Sequence, residues 1–276
     1  DHHHDHHHHL PAWFHPEIAL AADMVTSYSR LADQWNMVPR NLELMALLPL
    51  GREIRAYVSL NAETPLAPAE SERLFRHTHL VLEEAALAIS LPRGLELKAG
   101  QFFANFTMEG KLHTHELPFV DRPPSVQAVV GGETLARGVE LAWQARPYLR
   151  LTGGLVDHIG HDTPATNRLY GETHDEGGGH HHHDGATVFG ERRSFASPTV
   201  YGRAATLLEL DGHTSLHLGL NYAHGEHGRH IASVDAKLDW QPDASRVDRF
   251  ELGGEALFGR QSGTLSEEAS GHDGSR

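Results

Sequence analysis

Along this chain, apolar residues tend to alternate with polar or small ones in segment after segment from Ile18 onward, and a period of two residues is the period of a β-strand. The clearest segment sets Ile54, Ala56, Val58 and Leu60 against Glu53, Arg55, Tyr57, Ser59 and Asn61. The first sets Ile18, Leu20, Ala22 and Met24 against Glu17, Ala19, Ala21 and Asp23. The second alternates less cleanly, with Leu42, Leu44, Ala46 and Leu48 on one side and Asn41 and Glu43 on the other. Similar segments follow at 79–91, 95–106, 138–146, 148–158, 199–210, 215–222, 230–240 and 250–260, which makes eleven predicted strands. No apolar run reaches the roughly 18 residues of a membrane-crossing helix, so a membrane protein of this sequence crosses with strands in a barrel.

The connections sort into two kinds. Tight turns are predicted at Pro49, Leu50 and Gly51, at Pro92, Arg93 and Gly94, at Pro147, at Asp211, Gly212 and His213, and at 241–246. Between them lie longer stretches at 31–40, 63–78, 107–137, 159–198 and 223–229, with a tail after Arg260. Short turns at one end and long loops at the other are the habit of outer-membrane barrels. The expected fold is therefore an all-β, antiparallel, up-and-down transmembrane barrel over 16–260, preceded by a histidine-rich segment at 1–15. An odd strand count and a polar stretch at 267–276 predict that the barrel is incomplete and that the chain is cut inside an extracellular loop at 261–276. Aromatic residues make up only 7% of the chain, but their positions fit interfacial girdles: Phe102, Phe103 and Phe106 at an outer strand end, and Trp143, Tyr148, Trp240 and Phe250 beside the tight turns.

Charge and composition narrow the function. With 37 acidic against 23 basic residues, the formal net charge is -14, which repels phosphate backbones and favours cations, so nucleic acid is not an expected partner. The chain has no cysteine, so any metal site must use His, Asp and Glu. No H-E-x-x-H, nucleophile elbow, P-loop or dinucleotide-binding glycine motif occurs, and an enzyme is not expected.

Histidine is the anomaly, at 25 residues. The N-terminal run holds His2, His3, His4, His6, His7, His8 and His9, with Asp1 and Asp5 interspersed. An internal run in the longest loop holds His174, His180, His181, His182, His183 and Asp184, with Gly177, Gly178 and Gly179 allowing the chain to fold back. A sparser pair, His113 and His115, points to one side if the stretch is extended. His158, His161, His224, His227 and His230 fall at predicted outer strand ends or loops. Neutral imidazole beside carboxylate suits zinc first, and nickel or copper next. Strand parity predicts the N-terminal run in the periplasm and the internal run outside the cell, at opposite ends of the barrel.

The stretch Leu95-Glu96-Leu97-Lys98-Ala99-Gly100-Gln101-Phe102-Phe103, followed by His113-Thr114-His115 and Phe119-Val120-Asp121-Arg122-Pro123, resembles proteobacterial zinc-regulated outer-membrane proteins, often labelled TonB-dependent receptors. The resemblance spans 83–143, and Gln101 stands where that group usually has arginine. It implies a β-barrel in the bacterial outer membrane, in contact with its lipid, and a link to zinc. TonB coupling is not carried over, because only 1–15 precede the first predicted strand and a plugless barrel is expected. The reading is an outer-membrane barrel that binds and takes up a divalent transition metal. Two others use the same residues: a general porin-like channel with solvated histidines, and a soluble histidine-rich metal-binding β domain.

Overall fold

The computed structural model describes residues 16–30, 33–63, 79–117, 126, 130, 133–160, 198–225, 228–242 and 249–261. They form β1 (Glu17–Ser29), β2 (Gln34–Pro49), β3 (Ile54–Glu63), β4 (His79–Leu91), β5 (Leu95–Phe103), β6 (Leu135–Arg146), β7 (Leu149–Val156), β8 (Thr199–Glu209), β9 (Thr214–Gly225), β10 (Arg229–Trp240) and β11 (Phe250–Gln261). All eleven belong to one sheet, each strand antiparallel to the next and in chain order. The predicted all-β up-and-down architecture is therefore present, as an open sheet with β1 and β11 at its edges.

Turn chemistry closes the short end. At Pro92, Arg93 and Gly94 the chain reverses through positive φ at Arg93 (66°) and Gly94 (76°). At Asp211 one carboxylate oxygen accepts from the His213 amide (2.7 Å) and the other from the Thr214 hydroxyl (3.1 Å), an Asx-type turn. The predicted loop at 31–40 is corrected: β2 begins at Gln34, so β1 and β2 are longer than their clean alternation suggested. The predicted loop at 223–229 is likewise mostly strand, since β9 runs to Gly225 and β10 starts at Arg229. In both places pairing of backbone groups continues where the apolar pattern fades. Long connections remain after β3, β5 and β7.

The two faces of the sheet are partitioned in the opposite sense to a water-soluble sandwich. Leu20, Leu80, Leu220, Leu252 and Phe258 each expose over half of their surface on one face. Glu43, Asn61, Glu83, Glu140, Asn221 and Asp235 are buried on the other. Salt bridges on that second face skip strands: Glu96 of β5 meets Arg55 of β3 at 2.7 Å and Arg150 of β7 at 3.2 Å. Of the clearest segment, Ser59 is buried with the polar face and Ile54 is exposed on the other, as alternation predicts.

The sheet is curled around the polar face. Ten strand spacings laid flat measure about 48 Å. Yet Met108, in the β5–β6 connection, lies against Gly253 of β11, while Thr114–Glu116 of the same connection touches β1. Thr114 follows Met108 by six positions, a span of at most about 22 Å. The edges must approach one another for one short segment to touch both, so the polar face is the inner one.

Two places in the strands shape this inner wall. Between Ser59 and Leu60 the β3–β4 register shifts: Ser59 faces Glu84 and Leu60 faces Leu82, leaving Glu83 as the extra residue of a β-bulge. Gly100 and Gly138, directly paired on β5 and β6, both have positive φ (130° and 154°), and a Cβ on either would collide with a neighbouring carbonyl, that of Ala85 or Leu155. Gly100→Ala is therefore expected to lower unfolding stability by about 1–3 kcal/mol. Gly212→Ala, in open space, should change it by less than about 0.5 kcal/mol. Denaturant titration of the two variants checks the contrast.

Candidate metal centre inside the curled sheet

The β5–β6 connection folds onto the inner wall and gives it an apolar centre. Phe106, Val126 and Val130 are fully buried there, packed with Phe102, Ala136, Ile159, Tyr201 and Ile231. Phe102 and Phe103 are buried as well, so the predicted outer girdle at Phe102, Phe103 and Phe106 is corrected. Once a connection enters the sheet, aromatic rings next to it have an apolar partner inside. Trp143, Tyr148, Trp240 and Phe250 do remain exposed beside the tight turns.

Polar contacts pin the connection at several strands. The Asn105 amide donates to Glu140 of β6 (2.9 Å) and its side chain to Thr152 of β7 (3.2 Å). Arg203 of β8 donates to the Phe106 carbonyl (3.4 Å) and forms a two-pronged pair with Asp235 of β10 (2.5 and 2.8 Å). Asn221 bridges the Asp235 carboxylate (2.9 Å) and the Ser233 hydroxyl (2.8 Å), and Tyr201 donates to Glu140.

The histidine-x-histidine motif lies at the far end of this connection. Its four residues close on themselves: the Glu116 amide donates to the His113 carbonyl (2.9 Å), and the His113 amide to the Glu116 carboxylate (3.0 Å). The result is a 3-10 turn and not an extended stretch, but the two rings still share a side, stacked with centroids 5.7 Å apart. Phe103 packs edge-on against His113 at 4.7 Å. The motif faces the inner wall instead of the outer rim.

Three strand carboxylates converge on it. His113 Nδ1 lies 2.9 Å from Glu43 Oε1 and 3.1 Å from Glu83 Oε2, and its Nε2 lies 3.4 Å from Glu84 Oε2. His115 Nδ1 is 2.8 Å from Glu43 Oε2, yet neither atom has a hydrogen-bond partner of acceptable geometry. Ser59 and Asn61 each donate to the same glutamates, at 2.5 Å to Glu43 and 2.5 Å to Glu83. The bulge is what makes the site: with one extra residue in β4, both Glu83 and Glu84 turn inward. Two residues along β2 from Glu43, Asn41 is buried with neither end of its side-chain amide paired.

Glu43, Glu83 and His113 can each place a ligand atom within 4.8 Å of the other two. Bonds of about 2.0–2.2 Å in tetrahedral geometry put donor atoms about 3.3 Å apart, close to the separations seen here. Ser59 and Asn61 are then outer partners that orient the carboxylates.

Of the predicted ligands, the structure brings only His113 and His115 to this centre. His2, His3, His4, His6, His7, His8, His9, His174, His180, His181, His182, His183 and Asp184 lie outside the described residues, as does the predicted separation of the two histidine runs. His158 is buried, with Nδ1 2.5 Å from Asp157, and burial pushes its pKa down. His224 and His230 stack across β9 and β10 with centroids 4.6 Å apart, on the outward face. Glu43, Glu83 and Glu84 were missed from sequence because they belong to strands distant from the motif; Leu82 and Leu87, both outward but an odd number of residues apart, mark the bulge that turns the second glutamate in. No family model matches this chain, and no curated protein matches its sequence.

Burial alone would disfavour the His113 cation, but hydrogen bonds that its ring donates to Glu43, Glu83 and Glu84 outweigh it, and the pKa is pushed up to about 12 from 6.5. A raised pKa means stability that is fully present below about pH 6.5 and is lost as pH rises toward about 12. In metal-free protein, the stability deficit of His113→Gln should therefore be largest near pH 6 and shrink steadily by about pH 10. Unfolding midpoints of both proteins across that range check it.

Proposed function

We propose that this chain belongs to a β-barrel of the bacterial outer membrane that binds a divalent transition metal, zinc first, at Glu43, Glu83, His113 and His115, and takes it up. The observation that carries the reading is the convergence of a loop histidine pair and carboxylates from two strands at one point on the inner wall. Imidazole and carboxylate are a zinc donor set, and the absence of thiolate disfavours softer ions. The extended histidine runs, at 1–9 and 174–183, are read as capture segments that raise the local metal concentration.

A membrane setting is supported by the partition of the two faces: leucine and aromatic side chains outward, carboxylates, amides and guanidinium inward. Leu141, outward at the middle of β6, is placed where a cation in a bilayer costs about 2–4 kcal/mol. Leu141→Arg should lower folding stability in lipid vesicles by that amount, measured by denaturant unfolding; a change within about 0.5 kcal/mol points to a face in water.

Zinc binding itself is tested by equilibrium dialysis of the full chain in detergent, with the histidine runs at 2–9 and 180–183 replaced by serine. The remaining protein should retain one zinc per chain, and His113→Ala with Glu83→Gln should abolish it. Retention unchanged by the double substitution removes the inner site from the mechanism. Loss already on replacing the two runs assigns binding to them instead.

A further inference from the structure

A cavity of about 350 Å³ opens beside the histidine pair, and His113 and Glu84 form part of its lining. The same lining carries three cations, Lys98, Lys111 and Arg150, with Glu140. This composition is unexpected for a place that receives a free metal ion, because like charges repel and the repulsion is strongest where water is scarce.

Two of the cations already have a carboxylate partner and keep further donors free. Lys98 lies 3.6 Å from Glu140, and Arg150 lies 3.2 Å from Glu96. Lys111 is different: its ammonium donates to the neutral Asn105 Oδ1 at 3.1 Å, and no carboxylate stands within ion-pair distance among the described residues. An ammonium held in a cavity by one neutral acceptor keeps two donors for an anion.

We propose that the cavity is a subsite for a small polycarboxylate, so that the metal arrives as a chelate whose carboxylates meet Lys111, Lys98 and Arg150 while His113 and its glutamates approach the metal. The inference rests on the metal reading above and adds the form in which the metal is carried. Charge supports it, because a chelate with excess carboxylate is an anion matched to the cations and still presents a metal to the imidazole. Size supports it too: the volume is near the lower end of the roughly 300–1,000 Å³ of ligand pockets, which admits a compact tricarboxylate and excludes large chelators. The Asn105 side chain fixes the ammonium, and the amide of the same residue is tied to Glu140, so the subsite is braced by the folded-in connection.

The test uses the full chain in detergent, with the two histidine runs replaced by serine as above, dialysed against labelled citrate with and without equimolar zinc. Citrate should be retained one to one with zinc and only in its presence. Lys111→Met should lower citrate retention by at least about tenfold, the effect of losing a hydrogen bond to a charged group, and leave zinc retention in citrate-free buffer unchanged. Arg150→Met, on β7 rather than on the connection, should weaken citrate in the same sense and guards against a local folding defect at Lys111. Zinc retained in both buffers with no citrate retained beside it overturns the chelate proposal and leaves the metal reading standing. Zinc not retained in either buffer removes the metal reading and the chelate proposal with it. Equal citrate retention by the parent and both variants overturns the subsite.

Discussion

Everything inside this sheet follows from one electrostatic constraint: a wall built of carboxylates cannot be closed off from water unless something positive or hydrogen-bonding is brought against it. The strands alone supply part of the answer, through Arg55, Arg150 and Arg203. The β5–β6 connection supplies the rest. Its Asn105 backbone amide meets the Glu140 carboxylate of β6, and its His113 and His115 meet carboxylates of β2 and β4. The connection is thus an obligatory part of the interior, and its apolar residues Phe106, Val126 and Val130 follow it in because the space between the polar contacts has to be filled.

This arrangement places rigidity and chemistry in the same residues. Ser59 and Asn61 hold Glu43 and Glu83 in place from the neighbouring strand, so the carboxylates do not depend on the histidines for their orientation. The histidines, by contrast, sit on a short turn closed by Glu116. A ligand that replaces the proton on His113 enters a frame whose carboxylate half is already fixed, which lowers the ordering cost of binding.

The fold was largely legible because alternation is a local property, and each strand carries its own copy of it. Boundaries failed where pairing outran pattern, at Gln34 and Gly225, since backbone hydrogen bonding does not require an apolar face. The site was half legible. His113 and His115 stand two apart in one short stretch, so their joint direction can be read; Glu43 and Glu83 are brought to them only by the curl of the sheet and the entry of a long connection, which no local window contains. Phe102 and Phe103 show the same limit from the apolar side. Their chemistry fits a membrane interface as well as it fits an interior, and only the path of residues 104–117 decides between them.

The bulge at Glu83 separates β4 into two halves that answer to different rules. On one side of it Leu80 and Leu82 face outward; on the other Leu87 does, one step out of phase. Removing Glu83 would leave Ser59 opposite Glu84 and Leu60 opposite Leu82 in unbroken register and keep Leu80, Leu82 and Leu87 outward, but only one glutamate would then face inward. Insertions and deletions in this strand are therefore constrained to come in twos, except at the one position where an odd residue creates the site, and the length of β4 becomes as much a determinant of binding as the identity of its glutamates.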